Sequence, residues 1–226
     1  MKRGVSDWSA STAGDGSEDL TSWRAFGTAT VSDSVGRQGA LAARIRPRTG
    51  TGFVGRAHCV RVVVGDSGTL HRALEEVTAG AVLMIDAGGF EDRAVWGEVL
   101  SVAAMERGVV AVVVDGAIRD VAAIRKRGLP VYSSAVCPAG PHKAAGGTSG
   151  RTISCGGVVV ATGDLVLGDE DGVVVVPWEQ RREVAEAAQR VVDREVDLVA
   201  RIQTGASTAE YFGLSEAKNT IRGESQ

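Results

Sequence analysis

The chain has 226 residues, enough for one large domain or two small ones, and for a core that needs no disulfide. Apolar residues make up 44% and charged residues 23%, which excludes fibrous and wholly disordered classes. Its 28 acidic and 25 basic residues nearly cancel, leaving −3, so there is no electrostatic footprint for nucleic acid or an anionic membrane.

No apolar run approaches the 18 or so residues of a membrane span; the strand-like run Val109–Val114 is far shorter. The opening MKRGVSDWSASTAGDGSEDL lacks the apolar stretch of a secretory signal. Cys59, Cys137 and Cys155 are widely spaced with no CxxC, the pattern of reduced thiols rather than a disulfide framework or a zinc site. A soluble cytoplasmic protein is expected. Thirty glycines, abundant valine and only 4% aromatics point to many short strands joined by tight turns.

In chain order, residues 1–22 are polar and aperiodic and are expected to form a flexible tail, with a single domain over 23–226. A weak helical pattern covers Trp23–Leu41, Ala57–Val64 is β-branched and reads as a strand, and His71–Val77 reads as a short helix. AVLMID (residues 81–86) is a buried strand followed by Gly88 and Gly89. Val95–Arg107 has helical periodicity with Gly108 as its stop, and VVAVVVD (109–115) is the next strand, ending at a turn on Gly116. A helix over Asp120–Arg127, a capping Gly128 and the strand PVYSSAV follow.

This strand–helix alternation with short loops predicts a parallel sheet, whose ligands sit beyond the carboxyl ends of its strands. Asp86–Gly89 and Asp115–Asp120 both fall at that edge, so they can face one pocket. Residues 137–150 read as a loop and 151–177 as Val-rich strands with Gly-Asp turns; Trp178–Gln203 reads as one long helix. Ser207 and Glu210 have capping-box spacing for a last short turn. The expectation is a mixed α/β domain with a C-terminal helical arm.

GxGxxG, Walker, GxSxG and HExxH motifs are all absent. His58, in a strand pattern, reads as structural; His142, beside Lys143, could touch an anion or simply be solvated. Asp164, Asp169, Glu170 and Asp171 lack EF-hand spacing and neighbour glycines, so they read as turns. Arg119–Asp120, just past a buried strand, offers a fixed cation and a hard oxygen ligand; equally, Asp120 could N-cap the next helix and Arg119 could join a surface ion pair. Glu98 sits in a helix's first turn, where the amides of Gly97, Glu98, Val99 and Leu100 could bind a small carboxylate. The alternative is a charge that favours the helix dipole. On the long helix, Val184, Ala188, Val191, Leu198 and Ile202 form an apolar stripe whose seven-residue gap holds Glu195. An acid there suggests contact with a pocket, including one on a neighbouring subunit.

The segment WGEVLSVAAMERGVVAVVVDGAIRDVAAIRKRGLPVYSSAVCP resembles the core signature of the RraA-like family, which holds the 4-hydroxy-4-methyl-2-oxoglutarate aldolases and the regulators of ribonuclease E activity. The likeness extends to TATVSDSVGR, GGVVVATGDLVLGDEDGVVVVP and RIQTGASTAEYFG, roughly residues 25–213. It implies an αββα sandwich of the swivelling β/β/α type. The family's aldolases carry an acid, twenty intervening residues and then Arg-Asp; Glu98, Arg119 and Asp120 have that interval. By resemblance, Asp120 would anchor a divalent metal, Mg²⁺ or Mn²⁺, mainly through water. Arg119 would hold the pyruvyl oxygen of a small oxo-acid substrate, and the amides of Gly97, Glu98, Val99 and Leu100 its carboxylate. Glu195 would reach the site from an adjoining subunit of a homotrimer or homohexamer. The chain departs from the pattern twice: Glu98 stands where Asp is common, and a further acid expected after Asp120 is replaced by Ala122, Ala123, Ile124, Arg125 and Lys126.

The implied activity is a class II pyruvate aldolase on 4-hydroxy-4-methyl-2-oxoglutarate or a related 4-hydroxy-2-oxo acid, with oxaloacetate decarboxylase activity. Arg119, Glu98 and Glu195 would carry the chemistry. The alternatives are a protein that regulates a ribonuclease by docking, and a lyase on a different oxo acid in a specialised pathway.

Overall fold

A computed structural model describes residues 20–50, 52–144 and 146–214. Most of the expected 1–22 tail therefore lies outside the described residues; Leu20–Ala25, at its end, is a 3₁₀ helix that buries Trp23. Among the described residues, the elements are α1 (Thr28–Ser34), β1 (Arg46–Thr49), β2 (Phe53–Val62), α2 (Gly68–Glu76), β3 (Ala81–Asp86), β4 (Ala94–Trp96), α3 (Glu98–Glu106), β5 (Ala111–Ile118), α4 (Val121–Arg127) and β6 (Val131–Val136). They continue with β7 (Gly147–Ser149), β8 (Ile153–Cys155), β9 (Val158–Val160), β10 (Leu165–Gly168), β11 (Val173–Val176), α5 (Arg181–Gln203) and α6 (Thr208–Tyr211).

The main sheet runs β1-β6-β5-β3-β2-β10-β11, with β4 added beside β5 and β7 beside β2. Its centre is parallel as expected: β2 with β3, β3 with β5, and β5 with β6. The flanks β1, β10 and β11 pair antiparallel. β3 and β5 are buried on both faces, which is why they read as unbroken apolar runs rather than alternating ones. Leu83, Ile85, Val112 and Val114 pack with Leu70, Trp96, Leu100 and Ile124 from the α2–α3–α4 side. Val82, Met84, Ala111 and Val113 face the opposite way, onto Leu41, Ile45, Ile153, Cys155 and Val160. A third cluster joins Trp23, Val31 and Val184 to β10 and β11, seating α1 and α5 there.

Local differences from the sequence reading have physical reasons. The helix expected from Val95 starts at Glu98, because Ala94–Trp96 extend the sheet as β4. Gly116 is no turn: a Cβ there would lie 2.8 Å from that of Ala87, so glycine lets β5 pass close to its neighbour and continue to Ile118. Ser207 precedes α6 without a side-chain cap bond, so the capping box does not form. Gly108 and Gly128, by contrast, do end α3 and α4, with φ of +74° and +82°.

Candidate active site

β5 is buried along its whole length and delivers Arg119 and Asp120 to the carboxyl edge of the sheet. Beside it, β4 pairs parallel with β5 and delivers Gly97 and Glu98 to the same edge. The two ends are tied together, since the Arg119 amide donates to the Trp96 carbonyl at 2.9 Å. The buried Trp96 indole N–H donates to Ser101 Oγ at 2.8 Å, and that hydroxyl donates to the Gly97 carbonyl at 3.0 Å. These bonds fix the first turn of α3.

For Asp120 the structure removes one alternative, a side-chain cap on α4, while Arg119 does join an ion pair, with Asp120 itself. Its backbone is left-handed, with φ 58° and ψ 30°, and its side chain makes no cap bond to α4. The carboxylate turns instead toward α3, where Oδ2 accepts the Glu98 amide at 3.2 Å and lies 3.4 Å from Arg119 Nε. A left-handed non-glycine residue costs about 1–2 kcal/mol, less for Asp, and such strain clusters at functional sites. Gly97 makes the approach possible. Its φ of −162° suits any residue, but a Cβ there would stand 2.6 Å from Asp120 Oδ2 and 3.1 Å from Arg119 Cγ.

The Arg119 guanidinium lies against Gly140, where a Cβ would come within 2.6 Å of Nη1. Arg119 and Asp120 side chains are 42% and 41% exposed, so the pair is open to a ligand. Glu98 is held differently: Arg127 donates through Nε and Nη2 to Oε1 at 2.9 and 2.7 Å. The Glu98 amide is engaged by Asp120, whereas those of Val99 and Leu100, in the same first turn, have no acceptor within the helix.

Glu195 is exposed on α5, in a groove of about 620 Å³ that it shares with Arg37, Val191, Leu198, Tyr211 and Phe212. That helix packs on α1 at the β10–β11 end of the sheet, so a single chain does not bring Glu195 to Arg119 and Asp120.

Asp86 and Asp115 share the edge but not that pocket. They are register partners on β3 and β5, on the face that packs against Cys155. Asp86 Oδ2 accepts Arg61 Nε at 2.7 Å, and Asp115 accepts Arg44 at 2.7 and 3.0 Å and the Gly156 amide at 2.8 Å. Asp164 and Asp169 each accept a local turn amide, from Ala161 and Asp171, and each also ties in a distant segment, Asp164 through the Trp178 amide and Asp169 through the Thr28 amide at the start of α1. His58 sits beside Ser149 Oγ at 3.0 Å, with burial lowering its pKa. His142 bonds through its backbone to Gly65 and Ser67. Burial pushes the Cys59 thiol up to about 11, and pushes that of Cys155 up as well, with Asp115 and Asp86 adding to the effect.

Among the described residues, no three His, Cys, Asp or Glu side chains cluster in a metal-holding group. Asp120 Oδ1, however, carries no protein hydrogen bond there, so one hard oxygen is open at a half-exposed edge. That donor set fits Mg²⁺ or Mn²⁺ held by one carboxylate with water and substrate completing the shell; it does not suit a closed zinc site.

A family model described as Aldolase/RraA matches residues 28–175. A Halalkalibacterium halodurans protein, provisionally named a 4-hydroxy-4-methyl-2-oxoglutarate aldolase, is 35% identical over 172 residues, covering 76% of this chain and 82% of its own. A Thermus thermophilus protein named 4-hydroxy-4-methyl-2-oxoglutarate aldolase is 35% identical over 125 residues, 55% of this chain and 76% of its own. Among solved structures, the RNA-processing inhibitor RraA of Thermus thermophilus superposes with a TM-score of 0.62 at 33% identity, over 67% of this chain and 92% of that one.

Proposed function

This chain belongs to the RraA-like family, and from that premise we propose that it is a divalent-metal-dependent pyruvate aldolase that cleaves a 4-hydroxy-2-oxo acid of the 4-hydroxy-4-methyl-2-oxoglutarate type and decarboxylates oxaloacetate. The observation that carries the proposal is Asp120: strained into the left-handed region, released from capping α4, and set beside Arg119 with one oxygen open. Relatives named as aldolases support a lyase.

Breaking the bond beyond C3 leaves negative charge on the 2-oxo oxygen of the pyruvyl fragment. Arg119 would be the cation that meets that charge, a contribution of about 10²–10³ in rate for one well-aimed donor. The Val99 and Leu100 amides, at the positive end of α3, would receive the substrate carboxylate. Glu98 would order a water through Oε2, the oxygen that Arg127 leaves free; that water would take the C4 hydroxyl proton as the C3–C4 bond breaks and then protonate C3 of the enolate, giving pyruvate. The partner subunit's Glu195 would be the second acid on that water, which requires an oligomer. A metal at Asp120 Oδ1 would supply Lewis-acid stabilisation of the same oxygen.

The test is to incubate the protein with oxaloacetate and Mg²⁺, with and without EDTA, and to follow pyruvate with a coupled dehydrogenase. Metal-dependent release that disappears in both Arg119→Ala and Asp120→Ala, with melting unchanged, is expected. Retained activity in both variants would overturn the reading.

A second reading rests on the structural likeness to a protein named an RNA-processing inhibitor. A docking regulator would bind a ribonuclease with an affinity indifferent to EDTA. A pull-down with purified ribonuclease that captures nothing would remove it.

A further inference from the structure

We propose that Arg93 is a positioning residue for Arg119, acting through the carbonyl of Gly140. The inference rests on the role given to Arg119 above.

The loop that leaves β6 passes over the site and is pinned at both ends by backbone bonds. At its start, the Cys137 amide donates to the Ile118 carbonyl at 2.9 Å. At its far end, the His142 amide donates to Gly65 and the Ser67 amide to the His142 carbonyl, both at 2.9 Å. Its middle lies on Arg119, since a Cβ at Gly140 would stand 2.6 Å from Arg119 Nη1.

Two bonds from the β4 side hold that middle section. The Ala94 amide donates to the Ala139 carbonyl at 2.9 Å, and Arg93 Nη1 donates to the Gly140 carbonyl at 2.7 Å. Arg93 is thus a side chain that fixes the Gly140 peptide, which lies against the outer end of the Arg119 guanidinium. Its own stem is confined by Gly65, where a Cβ would lie 3.0 Å from Arg93 Cδ.

Arg119 needs such a wall. Among the described residues its only anion is Asp120, at 3.4 Å, and its side chain is nearly half exposed, so it has other rotamers available. With Gly140 held flush, the guanidinium is kept over the Gly97 and Asp120 side of the edge. A charge-assisted bond such as Arg93 to Gly140 is the stronger kind, and one donor suffices for it, so lysine is an adequate substitute.

The experiment reads Arg119 directly. Phenylglyoxal modification of Arg119, mapped by mass spectrometry, is timed in the wild type, Arg93→Ala, Arg93→Lys and Gly140→Ala. Arg93→Ala and Gly140→Ala are expected to raise the rate severalfold, the first by freeing the loop and the second by displacing Nη1. Arg93→Lys is expected to restore the wild-type rate. With oxaloacetate, Arg93→Ala is expected to lose about tenfold in kcat/KM, mostly in kcat, and Arg93→Lys to recover it. An unchanged Arg119 rate in Arg93→Ala overturns the proposal whatever the activity, as does a change that lysine fails to rescue. A faster Arg119 rate in a protein with no oxo-acid activity upholds the positioning role and removes the aldolase reading.

Discussion

Gly97→Ala separates the chemistry of this edge from its folding. Because φ at Gly97 is −162°, alanine is accommodated without backbone strain. What changes is space: the new Cβ meets Asp120 Oδ2 at 2.6 Å, and ordinary contact begins at 3.4 Å, so the carboxylate must retreat by roughly 0.8 Å. The Glu98 amide bond, already 3.2 Å long, does not survive that retreat. Since Asp120 is 41% exposed, water takes over the lost bond, and the stability change stays within about 1 kcal/mol, or a few degrees in Tm. Catalysis has no such substitute. A displacement near 1 Å at a group that aligns substrate costs about 10²-fold, and Arg119, whose Cγ would lie 3.1 Å from the same Cβ, moves as well. Coupled-assay kinetics of oxaloacetate decarboxylation alongside scanning calorimetry measure both quantities. Activity within twofold of wild type, or a Tm lowered by more than about 10 °C, would refute the assignment of Gly97 as a spacer for Asp120 rather than for the fold.

Asp115 should behave in the opposite way. Its nearly buried carboxylate ties Arg44 and the Gly156 amide to β5, so Asp115→Ala should cost about 2–3 kcal/mol in urea denaturation while kcat per folded molecule is retained; an unchanged midpoint would refute the clamp. His58 has a folded pKa lowered by burial from 6.5, so the native state binds fewer protons than the unfolded chain. Its contribution is complete above about pH 6.5 and is lost as pH falls through the lowered value. Urea midpoints at pH 7.5 and 5.5 should therefore converge in His58→Gln relative to the wild type, and equal differences in both proteins would contradict the assignment. Cys59 and Cys155 are fully buried with raised pKa values, whereas Cys137 is partly exposed, so a thiol reagent should label one cysteine in the native protein and three in urea. Labelling of Cys59 or Cys155 in the native state would show that the core opens.

The parallel centre of the sheet was readable because burial on both faces removes alternation from a strand, and β3 and β5 are buried that way. Gly108 and Gly128 marked helix ends because each takes up positive φ at its helix stop. Gly116 carried the same letter for another reason, close packing on Ala87, and spacing cannot tell the two uses apart. Val95 and Trp96, which the sequence assigns to the following helix, belong to β4 because a three-residue strand is too short to display a period. In the site, Arg119 and Asp120 are sequence neighbours and could be read together. Glu98 to Arg127, 29 residues apart, and Arg93 to Gly140, 47 apart, are contacts that only the parallel crossovers create. Residue type alone held no sign of them.

Two acid–arginine arrangements stand on the same sheet edge, and composition makes them look alike. Around Asp86 and Asp115, each carboxylate meets its own arginine and a backbone amide from a neighbouring loop. Those acids have spent their hydrogen-bonding capacity on the fold, and they face a core that contains Cys155. Around Asp120, one oxygen is open, the backbone is strained, the nearest arginine is a loose 3.4 Å away, and Gly97 and Gly140 leave out the side chains that would fill the space. A folding role gives no reason to keep strain and unfilled bonding capacity together at an exposed edge, while binding an oxygen-rich anion and a hard cation requires both the room and the free donors and acceptors. This contrast supports the proposal that Arg119 and Asp120 carry the chemistry, with Asp86 and Asp115 holding the fold.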